Sequence, residues 1–267
     1  MTDCLIVGTT SINRPEVHNI VFEQWIKWLK SSGKKIVWFI NIDTIDTIDC
    51  LDSSYEETKE NMIKLIKDNI DNIDEVIILP QQKNGFLGAC KILSETIKKY
   101  VEDKNLCKET QKIIWLEDDW KIINDININK LLEYSGKYTH INLTGIQPNY
   151  IHALAPSILS YMFWETYFYT AWKHQVINIC PEKCIGLYFY KINNINNMNV
   201  VPNYTIHTNL TNGVETINNF PHNSYIFIRT NPVMAVDVGI AYAKTKGYIK
   251  TSKKDVRNSP YVFYKKI

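Results

Sequence analysis

The sequence predicts an α/β fold, a mostly parallel sheet flanked by helices in a single compact domain. Three observations carry this. Short apolar runs that end in small or acidic residues alternate with amphipathic helical stretches through the first half of the chain. Single helices separate these runs, the arrangement that right-handed crossovers between parallel strands require. No Pro/Gly/Ser-rich linker and no fixed-period repeat divides the 267 residues.

The first strand is CLIVGTT (4–10), a buried run ending in small residues. The stretch NRPEVHNIVFEQWIKWLKSSG follows as a helix, with Pro15 suited to the first turn and Glu16 beside the positive helix end. Val17, Ile20, Val21, Trp25, Trp28 and Leu29 form its apolar face, and Gly33 closes it. The second strand is KIVWFINID (35–43). A helix then starts at Ser53 or Ser54, where Ser54 and Glu57 have capping-box spacing and Met62, Leu65, Ile66, Ile70 and Ile73 supply the buried stripe. The third strand, EVIILP (75–80), leads through QQKNG into a helix carrying Phe86, Cys90, Leu93, Ile97 and Val101. KIIWL (112–116) is the fourth strand, and it delivers Glu117, Asp118 and Asp119. Beyond about residue 135 the pattern loosens. YTHINLTG (138–145) and SYIFIRT (224–230) read as strands, 157–174 is unusually aromatic, and 234–250 reads as a short helix ending at Gly247.

Composition narrows the function. Apolar residues make up 45% and charged residues 22%, ordinary for a soluble globular protein, and a net charge of +2 without a basic stripe gives no reason to expect nucleic acid. No apolar run is long enough to span a bilayer and the N-terminus lacks a basic n-region, so a soluble cytoplasmic protein is expected. The crowding of Ile, Asn and Lys, with Arg14, Arg229 and Arg257 the only arginines, is the mark of an AT-rich genome; for a viral chain the compartment would be the host cytoplasm. The cysteines are scattered through apolar runs and read as reduced thiols; Cys180 and Cys184 lack the second pair that a zinc site needs.

The acidic triplet carries the chemistry. Three adjacent carboxylates cannot be buried without a positive partner. Ligands of open parallel sheets bind beyond the carboxyl ends of the strands, and the triplet stands at such an end. Mg²⁺ or Mn²⁺ is the natural partner, since hard cations take oxygen ligands and Mg²⁺ sites commonly combine one or two carboxylates with substrate phosphates. Such an ion would neutralise charge on a departing diphosphate.

WLEDDW after a hydrophobic strand resembles the DXD-type motif of nucleotide-sugar glycosyltransferases of the GT-A (Rossmann-like) fold. The form Glu-Asp-Asp resembles that of inverting N-acetylglucosaminyltransferases, and the order of TT.INRP, NID, a Lys-Asn-Gly loop and the acidic motif also fits over roughly the first 145 residues. The resemblance implies a metal-dependent transfer of a sugar from a UDP- or GDP-sugar to a hydroxyl acceptor, with inversion. It implies Asp119 as metal ligand, with Glu117 and Asp118 facing ribose and donor sugar. Thr9, Thr10 and Arg14 would line the nucleotide, Asp43 would accept from the base, and Lys83 and Gly85 would border the donor. Residues 1–135 would form the nucleotide-sugar-binding half and 136–267 the acceptor-binding half.

Inversion needs a general base near the acceptor hydroxyl. Glu165, flanked by Phe163, Trp164 and Tyr167, is the favoured candidate, and Asp237 the other. His207 and His222 lie in a polar stretch (203–223) long enough to be a lid, from which either imidazole would reach the metal or the diphosphate. Two rival readings stay open: a nucleotidyltransferase acting on sugar phosphates, and a non-catalytic sugar- or nucleotide-binding protein of the same fold. Oligomeric state is open as well.

Overall fold

The structure, a computed structural model, describes residues 4–43, 54–69, 73–81, 85–136, 139–144, 154, 156–175, 180–192, 214–217, 226–230, 233–245, 247–250 and 264–266. Strands β1 (Cys4–Ile12), β2 (Lys35–Asp43), β3 (Ile73–Ile78) and β4 (Lys112–Glu117) alternate with helices α1 (Pro15–Lys30), α2 (Tyr55–Lys67) and α3 (Gly85–Asp103). Then come β5 (Trp120–Ile122), α4 (Ile128–Glu133), β6 (Thr139–Asn142) and β7 (Ser157–Ser160). A helical segment follows, α5 (Tyr161–Phe163), a π-helical stretch (Trp164–Tyr169) and α6 (Thr170–His174). The remaining described elements are α7 (Pro181–Ile192), β8 (Val214–Ile217), β9 (Ile226–Thr230), β10 (Ala235–Asp237), α8 (Gly239–Thr245), β11 (Tyr248–Lys250) and β12 (Tyr264–Lys266).

An eight-stranded sheet in the order β3-β2-β1-β4-β7-β6-β9-β8 draws on both halves of the chain. Strands β1 to β4 are mutually parallel, and β7 runs antiparallel between β4 and β6. The two faces have separate cores. On one, Val21, Trp25, Trp28 and Leu29 of α1 pack over Leu5, Val7, Trp38 and Ile40. On the other, Leu87, Cys90, Leu93 and Ile97 of α3 and the aromatic segment from Tyr161 to Trp172 pack over Ile6, Val37, Phe39, Ile113 and Trp115. Side chains alternate between faces along a strand, so this partition fixes which way every residue near a strand end projects.

The local signals work as read. Ser54 caps α2 in a reciprocal capping box with Glu57. Gly33 closes α1 at φ 66°, a left-handed conformation that a side chain would strain. Cys4, Cys90 and Cys184 are buried free thiols, and burial pushes Cys184 up to about 12. Two boundaries differ. Ile73 opens β3 instead of ending the α2 stripe. The stretch read as one helix over 234–250 is β10, α8 and β11, because Ala235–Asp237 pairs antiparallel with β5. Val214–Ile217, inside the stretch expected as a lid, pairs with β9; His207 and His222 lie outside the described residues, as does Lys83.

Candidate active site at the carboxyl edge of the sheet

The acidic triplet is split three ways at the end of β4. Glu117 is the last strand residue and has the parity of Ile113 and Trp115, so it projects on the α3 face. Its charge reaches Cys90 of α3, where burial first and then Glu117 raise the thiol pKa. Trp120 Nε1 donates to Glu117 Oε2 at 2.7 Å. Asp118 turns toward α1 and is 3% exposed, whereas Asp119 stays at the rim with its side chain 13% exposed.

Asp118 is the most heavily engaged of the three. Ser11 Oγ donates to its Oδ2 at 2.7 Å and the Ile12 amide at 3.0 Å. Arg14 donates through Nε to Oδ2 at 3.1 Å and through Nη2 to Oδ1, the bidentate geometry that makes Arg–carboxylate pairs strong. His18 Nε2, one turn into α1, lies 2.9 Å from Oδ2. Burial alone would raise the Asp118 pKa, but the charge of Arg14 and the hydrogen bonds from His18 and Arg14 hold it well below the carboxylate range. For His18, burial dominates and keeps the imidazole below its usual 6.5 despite Asp118. The positive partner of the triplet is thus Arg14, a residue of the chain itself, positioned by the turn that Pro15 starts.

Arg14 also reaches the rim, with Nη2 3.1 Å from Asp119 Oδ2. The β5–β10 ladder folds the chain back onto this point: Asp237 pairs with Trp120, and the Val238 amide donates to the Asp119 carbonyl at 2.7 Å. Asp237 Oδ1 accepts from the Gly239 amide at 2.8 Å and so caps α8. Gly239 has no room for a side chain. A Cβ there would overlap Asp119 Oδ2 and lie 2.9 Å from Arg14 Nη1.

Of the residues singled out in the sequence, the structure brings Thr10, Arg14, Asp43, Glu117, Asp118, Asp119 and Asp237 to the carboxyl ends of β1, β2, β4 and the adjoining ladder. Thr9 faces the other core, where its hydroxyl accepts from Trp38 Nε1 at 2.9 Å. Gly85 opens α3 at φ 68°, a buried position that favours glycine. Glu165 stands apart. The Tyr161 amide bonds the Gln111 carbonyl just before β4 begins, which sets Tyr161 and Glu165 at the amino edge, opposite the triplet. There Glu165 accepts from Lys98 at 2.5 Å and Lys108 at 3.2 Å. The rings flanking it, Phe163, Trp164 and Tyr167, are core residues at 0–1% exposure and offer no face to a sugar. Sequence reasoning missed Ser11, His18, Asn41 and Gly239. The signal for His18 was its place one turn after Arg14. For Gly239 there was none, because its contacts, Asp119 and Arg14, are more than a hundred positions away in the chain.

Among the described residues, no group of three or more His, Cys, Asp or Glu is arranged to hold a metal ion, and no helix is long and apolar enough to cross a membrane. No family model matches the chain, and no curated protein sequence does. Solved structures do. A crystal structure of residues 1–349 of S. aureus TarS is 12% identical, with a TM-score of 0.44 over 70% of this chain and 55% of that one. TarS in complex with UDP-GlcNAc is matched at 12% identity and a TM-score of 0.37, over 61% of this chain and 46% of that one. The apo bifunctional glycosyltransferase WbbM is matched at 12% identity and a TM-score of 0.36, over 74% of this chain and 29% of that one. The chain therefore spans about half of the TarS fragment. A 4-diphosphocytidyl-2C-methyl-D-erythritol synthase is similar at 10% identity and a TM-score of 0.37, over 69% of this chain and 84% of that one.

Proposed function

We propose that the chain is a glycosyltransferase that moves a sugar from a nucleoside-diphosphate sugar, UDP- or GDP-linked, to a hydroxyl acceptor with inversion. The observation that supports this most is the division of labour in the triplet: Asp118 holds Arg14 from within, Arg14 reaches on to Asp119 at the rim, and the β5–β10 ladder brings Asp237 beside the acidic turn. A Mg²⁺ or Mn²⁺ ion fits Asp119, because an ion that also holds a diphosphate needs only one or two protein carboxylates. When bound, such an ion neutralises charge on the departing diphosphate. Arg14, fixed by two carboxylates, adds a preorganised positive charge beside that leaving group.

The transfer breaks the bond between the anomeric carbon and the phosphate oxygen and forms one to the acceptor oxygen. Asp237 takes the acceptor's proton, and capping α8 through Oδ1 fixes its carboxylate for that task. Glu117 and Thr10 line the nucleoside side. The test is a screen of sugar nucleotides for donor hydrolysis with and without Mn²⁺. Hydrolysis of one donor, dependent on metal and lost in Asp119→Ala, is the expected result. Turnover only of a nucleoside triphosphate with a sugar phosphate would make the chain a nucleotidyltransferase instead.

A further inference from the structure

We propose that Asn41 is the residue that selects the nucleobase of the donor, an inference that rests on the nucleoside-diphosphate reading above. Asn41 lies on β2 with the parity of Val37 and Phe39, so it projects on the face that α3 covers. It is 1% exposed, and among the described residues neither its Oδ1 nor its Nδ2 has a hydrogen-bond partner. Buried amides are almost always satisfied, and an apolar side chain of the same size would avoid the cost of leaving one unmade.

Its register explains what the amide is for. Thr10 pairs with Asn41 on one side and with Glu117 on the other, so Glu117, Thr10 and Asn41 form one row across β4, β1 and β2, all on the same face. Strand spacing makes that row about 10 Å long. The row begins at the acidic triplet, where the diphosphate is placed, and ends at Asn41, the distance a nucleoside needs to lay its ribose near Glu117 and Thr10 and its base at β2. Asp43 follows on the same face, two residues nearer the strand end. A carboxamide offers a donor and an acceptor side by side, which matches the paired donor and acceptor on a base edge. A site built on such pairing rejects bases whose edge leaves its groups unpaired.

The test is equilibrium binding of UDP, GDP, CDP and ADP, each with Mn²⁺, to the full chain and to Asn41→Leu and Asn41→Asp, with the thermal midpoint of each protein measured alone. The chain should rank the four nucleotides. Asn41→Leu should weaken the favoured one about tenfold or more and the least favoured by less than about twofold. Its own midpoint should hold or rise, since two unpaired atoms are gone. Asn41→Asp exchanges the amide's donor for a second acceptor and should change the ranking; it decides the matter if the leucine variant does not fold. An unchanged ranking in both variants, with affinities as in the parent, would overturn the proposal and leave the donor reading intact, Asn41 then being a buried amide bridged by water. Binding of none of the four by the parent chain would overturn the donor reading and this proposal with it.

Discussion

Two charge clusters stand at opposite edges of the same sheet, and they differ in kind. At the carboxyl edge, Asp118 and Arg14 are almost fully buried, and the pair is completed by Ser11, His18 and the Ile12 amide. At the amino edge, Glu165 meets Lys98 and Lys108 with side chains 22–36% exposed, and Lys98 and Lys108 also lean over the rings of Tyr169 and Tyr161. Desolvation makes the first cluster rigid and intolerant, while water screens the second. The first aims charges at a rim; the second ties the π-helical stretch to α3. Of the two carboxylates singled out as candidate bases, Glu165 thus stands at the amino edge and Asp237 beside the acidic turn.

Breaking the buried cluster should have the largest effect. Asp118→Ala leaves the Arg14 guanidinium without its main partner and should cost about 3–5 kcal/mol of stability, read by urea denaturation. Asp119→Ala should leave the fold largely intact and lower transfer by about a hundredfold or more, read as initial rates with the donor found in the screen. Gly239→Ala forces a methyl against Asp119 and Arg14, and should cost about 1–3 kcal/mol together with activity, by the same two assays.

The pH dependence sharpens the contrast. His18 has a folded-state pKa below its usual 6.5, so the unfolded chain takes up the proton first and stability falls as pH drops below 6.5. Asp118, held below its usual 3.8, adds a second loss as pH falls further, through its folded-state value. In His18→Gln the urea midpoint should stay flat just below pH 6.5 while the loss at lower pH remains. The smallest effect belongs to the amino edge. Glu165→Gln should change stability by no more than about 1 kcal/mol, since the group is partly exposed, and should leave transfer unchanged.

Local signals in the chain were enough for the framework: the apolar runs, the Ser54 capping box, Gly33 and the acidic strand end are each determined by near neighbours. What the sequence hid is long-range. The pairing of Arg14 with Asp118 joins residues 104 positions apart, so an arginine free to meet a phosphate and one pinned by a carboxylate look alike in sequence. β10 is three residues long and exists because β5 offers it an edge, which is why 234–250 read as helix. Strand β7 is a four-residue insert between parallel strands, too short to stand out from the aromatic helix that follows. Asn41 opens the NID that ends the second strand, but only its burial and its place beside Thr10 single it out from the rest of that run.

The most direct measurement is the thermal midpoint of the chain with UDP or GDP, with and without Mn²⁺, alongside Asp119→Ala. Stabilisation by one nucleotide is expected only when metal is present, with its loss in the variant. A midpoint that ignores both nucleotides, or a shift that persists unchanged without metal and in Asp119→Ala, would contradict it.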